Sequence, residues 1–140
     1  MSTTITSNDP TIVSERSFKD LDLNFTAHPI KKDVSMHYNE KAVINSVKNL
    51  VSTNFYERPF QPFLGSNIRA LLFELVDSVV AASLERQITE TINNHEPRVS
   101  VQSINAIPSP DENGYKVILT FFIVNNPNPV TINFFLERIR

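Results

Sequence analysis

The last forty residues limit the fold most severely. Val117, Leu119, Phe121 and Ile123 recur at every second position, and Val130, Ile132, Phe134 and Leu136 repeat the pattern after Asn125-Asn126-Pro127-Asn128-Pro129. A period of two is the signature of a strand with one face against a core, and an Asn/Pro cluster is a loop. Ile118, Phe122 and Val124 are apolar as well, so the first of these strands is expected to be covered on much of both faces. Upstream, Val99-Ser100-Val101 alternates, then the phase shifts near Ile104 to Ile107, which reads as a bulge. Pro108 to Gly114 reads as a loop. Three strands joined by short loops form an antiparallel sheet.

One face of such a sheet must be covered, and the middle of the chain supplies helices. Asn39 is placed to cap a first helix, its side chain accepting from the free N–H groups of the next turn. Val43, Val47 and Leu50, with Ile44 and Val51, carry that helix to about Thr53. Pro59 and Pro62 then enforce a rigid, irregular loop from Tyr56 to Leu64. Ser66 can cap a short helix containing Ile68, Leu71, Leu72 and Phe73. A longer one runs from about Asp77, with Val80, Leu84, Ile88 and Ile92 as its stripe. Glu85, Arg86 and Glu90 mark its solvated side, and Asn93-Asn94 and Pro97 end it. Near the start, Leu21, Leu23 and Phe25 alternate within a strand from Phe18 to Phe25. Pro29 and Lys31-Lys32-Asp33 make a turn, with a short extended piece at Val34. Residues 1–17, rich in Ser and Thr and lacking an apolar period, read as a flexible arm. The expectation is a single α+β domain over residues 18–140, with two to three helices on one face of a mainly antiparallel sheet.

Composition removes several functions. The chain has 140 residues, ten Phe and no Cys, which suits one packed domain without disulfides or thiolate metal sites. A formal charge of −2 offers no basic footprint for nucleic acid. No apolar run approaches the ~20 residues of a membrane-spanning helix, and the polar start, Met1 to Ser7, resembles no secretory signal, so synthesis in the cytosol is expected. With Gly65 and Gly114 as the two glycines, no glycine-rich phosphate cradle exists.

Catalytic signals are equally sparse. Glu57, Glu74 and Glu96 could be invoked as the acid and base of a glycosidase, but fifteen acidic residues make chance candidates abundant. His28, His37 and His95 have no metal-ligand spacing, and no Gly-x-Ser-x-Gly elbow occurs. No catalytic, cofactor-binding or metal-binding residue is expected. Two segments carry more meaning. In Tyr56-Glu57-Arg58-Pro59-Phe60-Gln61-Pro62-Phe63-Leu64-Gly65-Ser66, two prolines stiffen a loop whose aromatics either fill the core or form a presented surface. In Glu96-Pro97-Arg98, the proline fixes a carboxylate relative to a guanidinium fork. That set is either a charged clamp for another helix or a plain surface pair.

Taken in order, these pieces resemble the small baseplate-wedge family of contractile tails, which includes the TssE component of type VI secretion systems. The resemblance runs from about Phe18 to the C-terminus. It rests on the helix ending at Thr53, then Glu57-Arg58, Pro62, Gly65-Ser66, Leu72-Phe73-Glu74, the amphipathic helix and Glu96-Pro97-Arg98 before a strand. Asp20-Leu21-Asp22-Leu23 is similar to tail proteins of T-even-like phages. The resemblance implies a structural virion protein at the top of the baseplate beside the tail tube, where sheath assembly starts. It assigns Glu96 and Arg98, with Pro97 as spacer, to contact with the helical core bundle of the wedge proteins, and Glu57 and Arg58 to the same partner-binding set. The first ring of sheath subunits and the tail tube are the further partners it implies, with no cofactor, nucleic acid or membrane. The enzymatic alternative is a tail lysozyme. One departure stands out, since many relatives have Gly before Glu-Arg where this chain has Tyr56, which puts the local turn in question.

Overall fold

The computed structural model describes residues 18–21, 27, 29–30 and 36–139. Their order is β1 (Lys19–Leu21), β2 (Met36–Tyr38), α1 (Glu40–Ser52), α2 (Ile68–Leu71), α3 (Ser78–His95), β3 (Val99–Ser109), β4 (Gly114–Ile123) and β5 (Val130–Glu137). The expected arm through residue 17, the strand residues Asp22 to Phe25, and the segment from Lys31 to Val34 lie outside the described residues. Pro29 and Ile30 do form a turn.

β3, β4 and β5 form an antiparallel sheet in that order, and β1 pairs antiparallel with β2 as a separate ribbon. The alternation read from sequence sorts the faces of β4 and β5. Val117, Leu119, Phe121 and Ile123 are buried, as are Val130 and Ile132, while Phe134 and Leu136 are half-buried. Ile118, Thr120 and Phe122, on the other face of β4, are half-covered. In β3 the register steps between Val101, opposite Phe121, and Ser103, opposite Thr120. Gln102 is thus the extra residue of a bulge. The slip moves the inward positions from odd to even numbers, which turns Ile104 and Ala106 to the core and leaves Ile107 exposed. The bulge falls slightly earlier than the sequence suggests. Pro108, expected in a loop, pairs with Tyr115 inside the ladder; as an edge strand, β3 tolerates a residue without a donor.

α1 and α3 cover the inner face. Val43, Val47 and Val51 of α1 share one buried cluster with Ala81, Leu84, Ile88 and Ile92 of α3 and the apolar sheet positions. Burying a side chain such as Phe121, with no exposed surface, stabilises the fold by about 1.5–3 kcal/mol. Asp77 caps α3 by accepting from the Ser78 amide at 2.6 Å.

Three local expectations are corrected. Asn39 flanks α1 but makes no side-chain cap. It adopts φ +50° and accepts from the Phe18 amide at 3.2 Å, while its own amide donates to the Phe18 carbonyl at 2.7 Å. Ser66 does not cap α2, which follows Asn67; its buried hydroxyl donates to the Val51 carbonyl at the end of α1. Glu85 is only half-exposed, and its carboxylate accepts from the Ala106 amide at 2.7 Å. That charge-assisted bond closes part of the β3 edge with a helix side chain.

Candidate functional site

The loop between α1 and α2 is built from consecutive turns. The Glu57 amide donates to the Asn54 carbonyl, Gln61 to Arg58, and Leu64 to Gln61. Pro59 and Pro62 each occupy the second position of a turn, where their fixed φ fits. Tyr56 and Phe60, at third positions, adopt φ +66° and +70°, as a type II turn requires. Tyr56 therefore takes the left-handed conformation that glycine would adopt, and the turn survives its absence. The loop is pinched at its base by Ser66, whose amide donates to the Thr53 carbonyl at 2.9 Å, and by Tyr56, whose amide donates to Pro62 at 2.8 Å. Gly65, at φ +143°, packs so closely that a Cβ would lie 2.8 Å from the Asn54 and Thr53 backbone. The loop aromatics do not fill the core. Phe60 is fully exposed, Tyr56 76% and Phe63 73% exposed, with Tyr56 and Phe63 in edge contact at 6.3 Å.

Glu96 ends α3, its amide donating to the Ile92 carbonyl. Pro97 then takes the second position of another turn, closed by the Val99 amide on the Glu96 carbonyl at 3.2 Å. This geometry turns the Glu96 side chain inward, and the residue is 4% exposed. Its carboxylate accepts Nε and Nη2 of Arg98 at 2.6 and 2.7 Å, and the Ser46 hydroxyl at 2.6 Å. Burial opposes ionisation of Glu96, but the Arg98 fork and the Ser46 hydroxyl outweigh it and hold the carboxyl below its ordinary range. The hydrogen bond to Glu96 in turn raises Arg98 against the opposing effect of burial, with Glu96 and Asp20 adding attraction. Arg98 also lies 5.3 Å from the centre of the Phe18 ring, a cation–π distance. The motif is neither an open clamp nor a surface pair. It is an internal strut joining α1, the end of α3 and Phe18 at the entry to β1.

Around this strut lies a cleft of about 630 Å³, lined by Lys19 and Asp20 of β1, Ser46 and Asn49 of α1, Arg58 and Gln61 of the loop, and His95 to Arg98. The structure thus gathers four of the five residues singled out for partner contact, Arg58, Glu96, Pro97 and Arg98, at one place. Glu57 faces elsewhere. Its carboxylate accepts from the Asn54 amide at 3.0 Å and side chain at 2.7 Å, and lies 3.7 Å from Arg69. The Asn54 bonds, chiefly that from its backbone, lower the Glu57 carboxyl, with Arg69 adding a smaller attraction. Glu57 braces the first turn, and Arg58 faces the cleft.

Sequence reading missed three contributors. Ser46 occupies the core stripe of α1 among Val43, Val47 and Leu50; a lone hydroxyl at that phase is the signal that a buried polar partner awaits it. Phe18 left no signal, because its contact with Arg98 depends on the fold. Buried Tyr115 donates to the Leu75 carbonyl and accepts from the Asp77 amide, each at 3.1 Å, fixing the link between α2 and α3.

The profile of the family described as baseplate wedge protein gp25 matches residues 37–126. Baseplate wedge protein gp25 of Enterobacteria phage T4 is 31% identical over 99 residues, covering 71% of this chain and 75% of that protein. Among solved structures, a chain of the anti-feeding prophage baseplate superposes with a TM-score of 0.69 at 22% identity, covering 80% of this chain and 90% of that one. A chain of the post-contraction pyocin R2 baseplate gives 0.59 at 14% identity, covering 76% and 98%. A Geobacter sulfurreducens protein solved as a candidate tail lysozyme gives 0.67 at 18%, covering 72% and 92%. The chain belongs to the baseplate wedge protein gp25 family and is a structural component of a contractile-tail baseplate.

Proposed function

We propose that the cleft face docks the helical core bundle of the baseplate wedge, and that the sheet offers an edge to the first ring of sheath subunits beside the tail tube. One observation carries the first part. Four separate segments meet around the Glu96–Arg98 pair, whose carboxylate is buried, leaving Pro97 and Arg58 outward at the rim. In this reading Glu96 sets Arg98 and does not itself touch the partner. Glu57 acts at one remove, by holding the turn that presents Arg58. The sheath contact draws on an asymmetry of the sheet. Glu85 occupies an amide on the β3 side, whereas β5 pairs only with β4 among the described strands, and an unpaired edge invites strand addition. Residues 1–17 would act as a flexible arm on the domain of residues 18–140.

The role is non-catalytic. A glycosidase needs one carboxylic acid held protonated by a raised pKa, and both Glu57 and Glu96 are shifted the other way. Likeness in fold to a candidate tail lysozyme leaves that chemistry without its acid at these two positions.

Exposed Pro97 gives a direct test. Pro97→Glu should lower the thermal midpoint by no more than a few degrees, the loss of one turn proline, and lose co-purification with the wedge proteins. Undiminished co-purification would remove this face from the docking site, and turnover of peptidoglycan by the purified chain would remove the non-catalytic role.

A further inference from the structure

We infer that the proline-braced loop is the main anchor of that docking face, and that it takes an acidic, amphipathic segment of a wedge polypeptide. The inference rests on the docking role proposed above and moves its energetic centre from the Glu96–Arg98 strut to the loop. Three large aromatics, Tyr56, Phe60 and Phe63, stand exposed on one short segment, far from the scattered single apolar residues normal for a surface. The loop is held by three turns, two prolines and the pinch at Thr53 and Ser66, so little conformational freedom remains to be lost when it binds. Rigid exposed aromatics and an arginine on one short loop have the character of interface hot spots.

Charge selects the occupant. Glu96 and Arg98 satisfy one another within the strut, and Asp20 adds its attraction to Arg98. Among the described residues the Arg58 guanidinium, on the cleft wall and two positions before Phe60, has no partner. A guanidinium fork on the same rigid loop as three exposed aromatics suits a carboxylate flanked by apolar side chains.

The test measures affinity between the full chain and each recombinant wedge protein of the same virion. Phe60→Ser with Phe63→Ser should weaken binding by at least about tenfold at an unchanged thermal midpoint, since both rings are exposed. Arg58→Glu should weaken it more than Arg58→Gln, because it sets like charges together. Phe73→Ser with Leu75→Ser, at a separate exposed apolar patch, should stay within about twofold of wild type. Aromatic variants within about twofold of wild type, Arg58→Glu binding as tightly as wild type, or loop-dependent binding to phosphatidylglycerol vesicles in place of wedge protein would each overturn the inference while leaving the docking role intact. A wild-type chain that binds no wedge protein would overturn both.

Discussion

Replacing Arg98 by Met keeps much of the aliphatic packing and withdraws both donors from Glu96. The buried carboxylate then has two options. It can remain ionised with Ser46 alone, forgoing bonds to a charged group worth about 1.5–3 kcal/mol each. It can instead take up a proton, which from an ordinary value of 4.5 costs about 3.4 kcal/mol at pH 7. Protonation caps the loss near that figure, so the expected destabilisation is about 3 kcal/mol. Glu96→Gln is milder, at about 1 kcal/mol: the amide oxygen still accepts from Ser46, and Arg98, its side chain 30% exposed, can turn to water. Acid separates the cases further. The folded Glu96 carboxyl lies below 4.5, so its contribution in the wild type is complete above that value and is lost as pH falls through the lowered folded value. In the Met variant protonation no longer costs much near pH 4, so the gap to wild type should narrow. Urea unfolding followed by circular dichroism at pH 7 and pH 4 reads all three proteins. Two variants within about 0.5 kcal/mol of wild type at pH 7, as for an exposed ion pair, would refute the strut, as would a gap that widens in acid.

Other perturbations probe the supports of the site. Tyr56→Gly should be more stable than Tyr56→Ala by about 1 kcal/mol, inverting the usual order, because both lose the Phe63 contact but only Gly is at ease at φ +66°; chemical denaturation of the pair decides it. Tyr115→Phe leaves the Leu75 carbonyl and Asp77 amide without their partner, so unfolding should show a loss of about 1–3 kcal/mol. Glu85→Ala should expose the Ala106 amide, seen as faster hydrogen exchange at Ala106 than at its ladder neighbours.

What the sequence discloses here is what local periodicity can encode. β4, β5, α1 and α3 are legible because each repeats an apolar position at its own period and buries it. Asn39 and Ser66 are misread for one reason. Both are residues that cap helices, yet their partners come from afar: Phe18 lies 21 positions before Asn39, and Val51 lies 15 before Ser66. Glu85 looks solvated because the amide it accepts from, on Ala106, belongs to the next element. At the site, Pro59, Pro62 and Pro97 announce the turns. The inward aim of Glu96 is hidden, since it depends on Ser46, 50 residues earlier. Whether the loop aromatics turn in or out is a tertiary outcome, and the exposed answer could not be drawn from spacing.

Imaging the intact baseplate at side-chain resolution tests most directly whether this face is a dock. Another wedge polypeptide should cover Arg58, Phe60 and Pro97 in the assembled particle, with Glu96 still bonded to Arg98 beneath. A baseplate in which those three side chains face solvent, and the contacts lie on other surfaces, would contradict it.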